Sequence, residues 1–579
     1  AYEISTRDWS SDVCSSDLGL GTEAFGGGYN DDGSSTANGK RPNGQPPGTI
    51  SLGSFGPASA AAPQLQAAQG GSILLFAPRI DNNGGIVRAP DGQVVLAAGQ
   101  KVYLGISEDS TDTTLRGFVV EVEAVTDDVR LDLTNLVRNA GDISADRGNV
   151  TLAGLTVNQE GRVSAKTAVQ ANGSIYLKAR SVGKAAGDAT ASVAQGQAGT
   201  ATFAKGSVTE VMPDTGDTAT VSDSTAYTAF RGVVDVRGGL IQQRGTVQAA
   251  GGVINLVASN AAQPSAARVY LDAESLTSVA GTWADVDFTK NIVSFRVTSN
   301  ELKDAPDQKD GLLRGATVTV YLRQGSNILD LSGYRSAVAR TVAEKAAVGG
   351  SMLISSDGDV IQRSGAVIDA SGGGYRYNGG SAMISRLLGA DGKIYDIGSA
   401  PEALAYRAQL DRYERTDSRW GKTVSIANPL GAVATYEAGY VEGKAAGDIT
   451  VSAKSGLVLD GTLKGGVTIG PRQAAAAPQA ATLNIGASQE DSRLTTSLRF
   501  RNQAIDTLGA AFSAESSLGA DAVRTFQLAA DQLFAAGEDT ADGRVEHGFG
   551  SVNVYVKADD GGHGGTITLP ADVTLHAEP

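Results

Sequence analysis

The feature that most constrains this chain is a recurring five-residue phrase: glycine, any residue, Ile or Val, any residue, then Leu or Ala. It occurs at Gly85–Ala89, Gly92–Leu96, Gly141–Ala145, Gly148–Leu152, Gly161–Ala165, Gly173–Leu177, Gly245–Ala249, Gly252–Leu256 and Gly565–Leu569, with Gly447–Val451 as a near match. Each copy is a turn followed by a strand too short to bury its apolar face alone. Stacking the copies on one another removes that exposure, which is the logic of a solenoid. Gly71 and Gly92 lie 21 positions apart and Gly148 and Gly173 lie 25 apart, each one coil of a three-sided β-helix. Gly141/Gly148 and Gly245/Gly252 lie 7 apart, one strand and one corner. Alternation along the strands predicts Val150, Leu152, Ile175, Leu177, Ile254 and Leu256 inward, with Thr151, Tyr176 and Asn255 outward.

The 74 glycines among 579 residues, and an aromatic content of only 6 %, suit a narrow interior with tight corners rather than a thick globular core. A net charge of −15 sets the chain against nucleic acid and against anionic lipid surfaces. No apolar run reaches the roughly 18–20 residues of a spanning helix, so no transmembrane segment is expected. The single cysteine, Cys14, falls within residues 1–18. That stretch has neither strand nor helix period, resembles translated adapter sequence rather than native chain, and is set aside for fold reasoning. The native N-terminus, with any signal peptide, is accordingly expected to be missing.

Along the chain, residues 19–69 are rich in Gly, Ser, Asn, Pro and Ala and are expected to be an irregular linker or surface segment. Residues 70–261 are expected to be coils interrupted by an insertion at 181–230. Residues 262–350 are expected to be an insertion outside the coil with a short helix at 335–346, where Val338 and Val342 form a stripe ahead of Gly349-Gly350. Residues 351–579 are expected to continue the coil, with external helices near 401–414, opened by Pro401, and near 501–540.

Between 328 and 470 the text becomes specific enough to resemble a family. Asp330-Leu-Ser-Gly-Tyr334, Arg340-Thr-Val-Ala-Glu344, Gly365-Ala-Val-Ile-Asp-Ala-Ser-Gly372 and Leu388-Gly-Ala-Asp-Gly-Lys-Ile-Tyr-Asp396 are similar to the filamentous haemagglutinin-like large exoproteins of Gram-negative bacteria. Tyr436-Glu-Ala-Gly-Tyr-Val-Glu-Gly443 and Leu457-Val-Leu-Asp-Gly-Thr-Leu-Lys-Gly465 continue the likeness. The resemblance implies a right-handed parallel β-helix exported through an outer-membrane transporter of the two-partner (TpsB) type. It implies folding at the cell surface and adhesion without catalysis. The family's secretion domain, marked by Asn-Pro-Asn, is absent, the nearest string being Arg41-Pro-Asn-Gly44, so an interior fragment is expected. Near-absence of cysteine suits a chain threaded unfolded through a pore, where a disulfide would obstruct transit.

No catalytic, cofactor or metal site is expected. His547, His563 and His576 lack ligand spacing and are expected to be solvated or turn residues. No G-x-S-x-G elbow occurs. Gly421-Lys-Thr423 lacks the first glycine of a phosphate loop, Thr416 standing in its place. Asp330, Asp369 and Asp460 each follow an aliphatic pair and precede a small-residue corner, and turn capping is the expected role, ahead of catalysis or Ca²⁺ binding. Tyr375 and Tyr377 invite stacking on a sugar ring, but covering an edge or packing on a neighbouring loop is the simpler expectation.

The sequence therefore predicts an all-β protein: a right-handed parallel β-helix of about 15 coils, ~70 Å long, with a few external helices and loop or hairpin insertions. Its expected function is a secreted, surface-exposed adhesin stalk whose host glycan or protein receptor the residues leave open. The alternatives are a carbohydrate-active β-helix (polysaccharide lyase or hydrolase) and the stalk of a contact-dependent toxin carrier.

Overall fold

The computed structural model describes residues 2–3, 22–26, 28–29, 35–36, 49–53, 62–105, 117–124, 135–169, 171–183, 192–193, 196–225, 231–298, 300–302, 304–428, 434–488, 493–558 and 565–575. Three parallel sheets of ten, ten and nine strands wind around one interior, an all-β solenoid. One coil runs through Asn149–Gly154 on a long sheet, Thr156–Gln159 on a short sheet and Arg162–Thr167 on a third sheet. The chain then returns to the long sheet as Ser174–Ala179, in register beside Asn149–Gly154. Among the described residues, ten rungs along the long sheet span nine intervals, about 43 Å at ~4.8 Å each, fewer than the roughly 15 coils expected.

The interior is two aliphatic columns along the long sheet. Ile73, Val94, Val150, Ile175, Val234, Ile254, Met352, Ile449 and Leu483 stand in register, and Leu96, Leu152, Leu177, Val236, Leu256, Ile354, Val451 and Ile485 form the second column. All of them are buried. Every inward residue named from the sequence lies in this core.

A buried amide column runs along the short sheet. Asn82 Nδ2 donates to Asn139 Oδ1 at 2.8 Å, and Asn139 Nδ2 donates to Gln159 Oε1 at 2.8 Å. Each amide also serves its own corner: Gly85 N donates to Asn82 Oδ1, Gly141 N to Asn139 Oδ1, and Gln159 Nε2 donates to the Gly161 carbonyl. The column satisfies backbone groups that the corners remove from the ladders.

Outside the coil, an antiparallel pair, Lys101–Gly105 and Val119–Glu123, covers the long sheet. Its Val102, Leu104, Val120 and Val122 bury the outward Val95, Ala97 and Ala153. Thr151, predicted outward, pairs in register with Val95 and is buried too. The same pair takes Thr22–Gly26 as a third strand, while Thr49–Gly53 begins one coil sheet and Gln64–Gln66 is a strand near the start of another. Residues 19–69 are thus not merely a linker; Pro63 even accepts a hydrogen bond from Ile86 N in the coil. Tyr2–Glu3, in the segment set aside, pairs with Leu65 and Gln66.

The insertions differ from their sequence boundaries. Within 181–230, Thr200–Phe203 and Val208–Pro213 are coil strands, carrying Ala201, Phe203 and Val211 into the core. Within 262–350, Arg268–Leu271 and Leu276–Ser278 are coil strands as well, and the excursion starts only beyond them. It has its own core of Val297, Leu302, Leu313, Val318, Val320, Ile328 and Leu331.

None of the three helix expectations holds at its predicted length. The 335–346 segment is split into short helices Ser332–Ser336 and Val342–Lys345 by the strand Ala339–Thr341, which pairs with Thr220–Ser222. The 401–414 segment forms strands Tyr406–Gln409 and Arg412–Asp417, because Leu387, Leu388 and Gly389 pair with the first and Lys422–Ala427 with the second. The 501–540 segment contains only Ala520–Arg524 and Ala530–Leu533 as helix, flanking the strand Thr525–Ala529. Local helix propensity is worth tenths of a kcal/mol per residue and yields to strand pairing with a buried face. Phe526, Leu528, Leu533, Leu498 and Phe549 join the coil core near its C-terminal end. No described helix is long and apolar enough to cross a membrane.

Candidate binding surface

The three candidate aspartates stand apart in role. Asp330 Oδ1 accepts from Ser332 N at 3.0 Å and Asp369 Oδ1 from Ser371 N at 2.9 Å, both turn caps. Asp460 instead reaches a distant segment. Thr507 N donates to its Oδ2 at 2.7 Å, and Arg501 Nη2 pairs with its Oδ1 at 3.2 Å.

Asp460 lines a cleft of about 580 Å³ that also holds Lys464, Asp531, Glu546 and His547. Its acids are engaged in the structure. Asp531 accepts from Ala504 N at 3.1 Å, and Glu546 pairs with Arg544. His547 is exposed and lies 3.6 Å from Glu538. Among the described residues no group of three or more His, Cys, Asp or Glu side chains is disposed to hold a metal ion. His563 and His576 lie outside the described residues. Gly421-Lys-Thr423 belongs to a hairpin turn and strand, with no helix following it.

Tyr375 and Tyr377 are 2 % and 4 % exposed, so a sugar cannot reach their faces. Their strand, Gly374–Tyr377, is the middle one of three, between Trp283–Val286 and Tyr440–Gly443. The Tyr377 ring stacks on Tyr440 with centroids 4.5 Å apart, and the Arg340 guanidinium lies 4.5 Å from the Tyr375 ring. Arg340 Nη2 also donates to the Tyr377 hydroxyl at 3.1 Å. Burial pushes the hydroxyls of Tyr375, Tyr377 and Tyr440 above the ordinary phenol range. This cluster of rings and cations binds the insertion to the next segment of chain and is a joint, not a platform.

The surface with an unspent binding capacity is the extension between 380 and 437. Six of the twelve large hydrophobic side chains exposed among the described residues fall here: Met383, Ile394, Trp420, Val424, Ile426 and Tyr436. Trp420 is 74 % exposed at the tip of the hairpin formed by Arg412–Asp417 and Lys422–Ala427. Asp417 Oδ1 shapes that tip by accepting from Arg419 N at 2.9 Å and Trp420 N at 3.3 Å, and Gly421 closes it at φ +61°. Val424 and Ile426 alternate along one strand and share a face.

The hairpin base is firmly held. Buried Asp411 accepts from Ser385 Oγ at 2.8 Å and from Arg386 N at 3.2 Å, and Ser385 Oγ in turn accepts from Thr319 N at 2.8 Å. Gln409 Nε2 donates to the Thr317 carbonyl at 2.8 Å. Ile384, Leu387, Ile397 and Ala400 pack into the core of the 297–331 insertion. A supported base beneath an exposed apolar tip is an arrangement that presents contact area without rebuilding the scaffold. Sequence reasoning missed it because the helix assigned to 401–414 ran through the hairpin's first strand; the signal was the Asp417–Gly421 turn between two alternating segments.

No family model matches the chain, and neither a curated protein nor a solved structure matches it.

Proposed function

We propose that this chain is a non-catalytic adhesive stalk, part of a filamentous haemagglutinin-like large exoprotein of a Gram-negative cell surface, exported by an outer-membrane two-partner transporter. The observation that carries the reading is the concentration of exposed apolar side chains on one anchored extension of a solenoid. Large apolar side chains concentrated on one exposed element mark contact surfaces more often than chance placement does. Right-handed winding belongs to the same proposal and is favoured by the strong bias of parallel crossover connections toward that hand. Coil-by-coil stacking suits a chain that emerges progressively from a pore, since each rung rests mainly on its neighbours. Engagement of Asp460, Asp531 and Glu546 by their own neighbours weighs against a carbohydrate-cleaving role for the cleft beside them.

The test is attachment of the purified full chain to erythrocytes and epithelial cells, with the Trp420→Ala, Tyr436→Ala double variant beside it. Saturable attachment that the double variant loses is expected. Absence of attachment, or release of reducing sugar from polysaccharide by the intact chain, would overturn the reading.

A further inference from the structure

The outer part of the extension, residues 405–427, differs in charge from the chain that carries it. Residues 405–427 contain five Lys or Arg against three Asp or Glu, a local excess of +2 in a chain of net −15. One of the three acids, Asp411, is buried at the hairpin base and spent on Ser385 and Arg386. Arg419 and Lys422 bracket Trp420 and are exposed with it; the Arg419 guanidinium lies 5.4 Å from the indole ring. Behind this tip, Val424 and Ile426 carry an apolar strip along the strand, exposed on both residues.

We infer that the Asp417–Lys422 tip docks on an anionic lipid bilayer, with Trp420 leading into the interface between headgroups and acyl chains, Arg419 and Lys422 on lipid phosphates, and Val424 and Ile426 following behind the tip. This rests on the extension being the contact surface, and names its partner. An indole beside cations on an apolar strip is the composition that partitions into the membrane interface. Lys and Arg stems reach from apolar surroundings to headgroup charge. A sugar asks for a flat ring and a fan of hydrogen-bonding groups; the aliphatic Val424 and Ile426 offer no such groups. The acidic remainder of the molecule is repelled by the same surface, which orients the approach so that the tip leads.

The experiment is co-sedimentation of the full chain with phosphatidylcholine vesicles and with phosphatidylcholine–phosphatidylserine vesicles, read together with tryptophan emission. Binding to the serine-containing vesicles, a blue shift, and weakening by added salt are expected. Trp420→Ala should lower the partition coefficient about tenfold and abolish the blue shift. Arg419→Ala and Lys422→Ala should each lower it about fivefold. The thermal unfolding transition of each variant should match that of the unsubstituted chain, which separates loss of contact from loss of fold. No sedimentation, or equal sedimentation of the Trp420→Ala chain, overturns the lipid assignment. Trp420-dependent attachment to cells without vesicle binding overturns it in favour of a glycan or protein receptor and leaves the adhesive reading standing. Vesicle binding without cell attachment does the reverse.

Discussion

An alanine Cβ placed at Gly148 would lie 2.0 Å from the carbonyl oxygen of Gly92, one rung away. The same near-collision recurs at the same corner: Gly92 against Gly71 at 1.8 Å, Gly350 against Gly252 at 2.1 Å and Gly447 against Gly350 at 1.9 Å. At this corner of the long sheet the glycines Gly92, Gly148, Gly350 and Gly447 are required by the closeness of stacked corners, not by a left-handed backbone. Asn149 N donates to the Gly92 carbonyl at 3.0 Å, so the contact that forbids a side chain also carries a rung-to-rung hydrogen bond.

Gly148→Ala should therefore cost about 3 kcal/mol or more, because backbone must part on two rungs. Gly206→Ala, at φ +82° but facing open space, should cost only about 1–2 kcal/mol, the left-handed penalty alone. Urea denaturation of the two variants measures the difference, and equal midpoints would contradict the stacked-corner account.

Ile175→Lys places an ammonium in the middle of the first aliphatic column, where neighbours are Val150 and Val234. With no partner for the charge, the loss should be about 3–5 kcal/mol. An unaltered midpoint would show that Ile175 is not inside the coil.

Asn139→Ala removes the middle of the amide column and strands Gln159 Oε1 and the Gly141 N–H, while Asn82 Nδ2 keeps only its bond to the Gly85 carbonyl. Two unsatisfied buried groups at about 1–3 kcal/mol each set the expected cost. Leu271 and Leu459, which stand along the same ladder, show that an apolar residue is tolerated where no amide neighbour depends on it. Gln362→Leu between them tests this: its carboxamide serves Ala366 and Thr462 carbonyls, so a smaller loss than at Asn139 is expected.

Docking of the covering pair should weaken in acid. Burial pushes the Glu121 carboxyl upward, but Lys178 and Arg180, at 2.8 and 2.6 Å, outweigh it and hold it below the usual carboxylate value of 4.5. A folded-state value below the unfolded one contributes stability that is complete above the unfolded value and lost as pH falls through the folded one. Comparing denaturation midpoints at neutral and acid pH, Glu121→Gln should show a smaller drop than the unsubstituted chain.

Asp411→Ala should free the 412–427 hairpin while leaving the coil intact, since Ser385 and Arg386 belong to the extension. Limited proteolysis should cut first within the hairpin, with the global unfolding transition moved by less than about 1 kcal/mol.

The sequence alone determined the winding of the core. A period of two within each phrase, and a glycine before it, settles which of Val150, Thr151 and Leu152 face inward and where the phrase-bearing corners fall, because both follow from local geometry; the coil strands Thr200–Phe203, Val208–Pro213, Arg268–Leu271 and Leu276–Ser278 lack the phrase and were not legible in it. It did not determine what lies on the outer faces. Whether Val95 meets solvent or the 119–123 strand, whether residues 401–414 coil or pair, and whether Tyr375 is exposed or enclosed depend on segments 20 to 100 residues away. Those choices are made by pairing and burial between distant parts of the chain, and hydrophobic periodicity carries no record of the partner. The Trp420 surface belongs to that second class: only the fold of the extension brings its apolar side chains to the outside and holds them there.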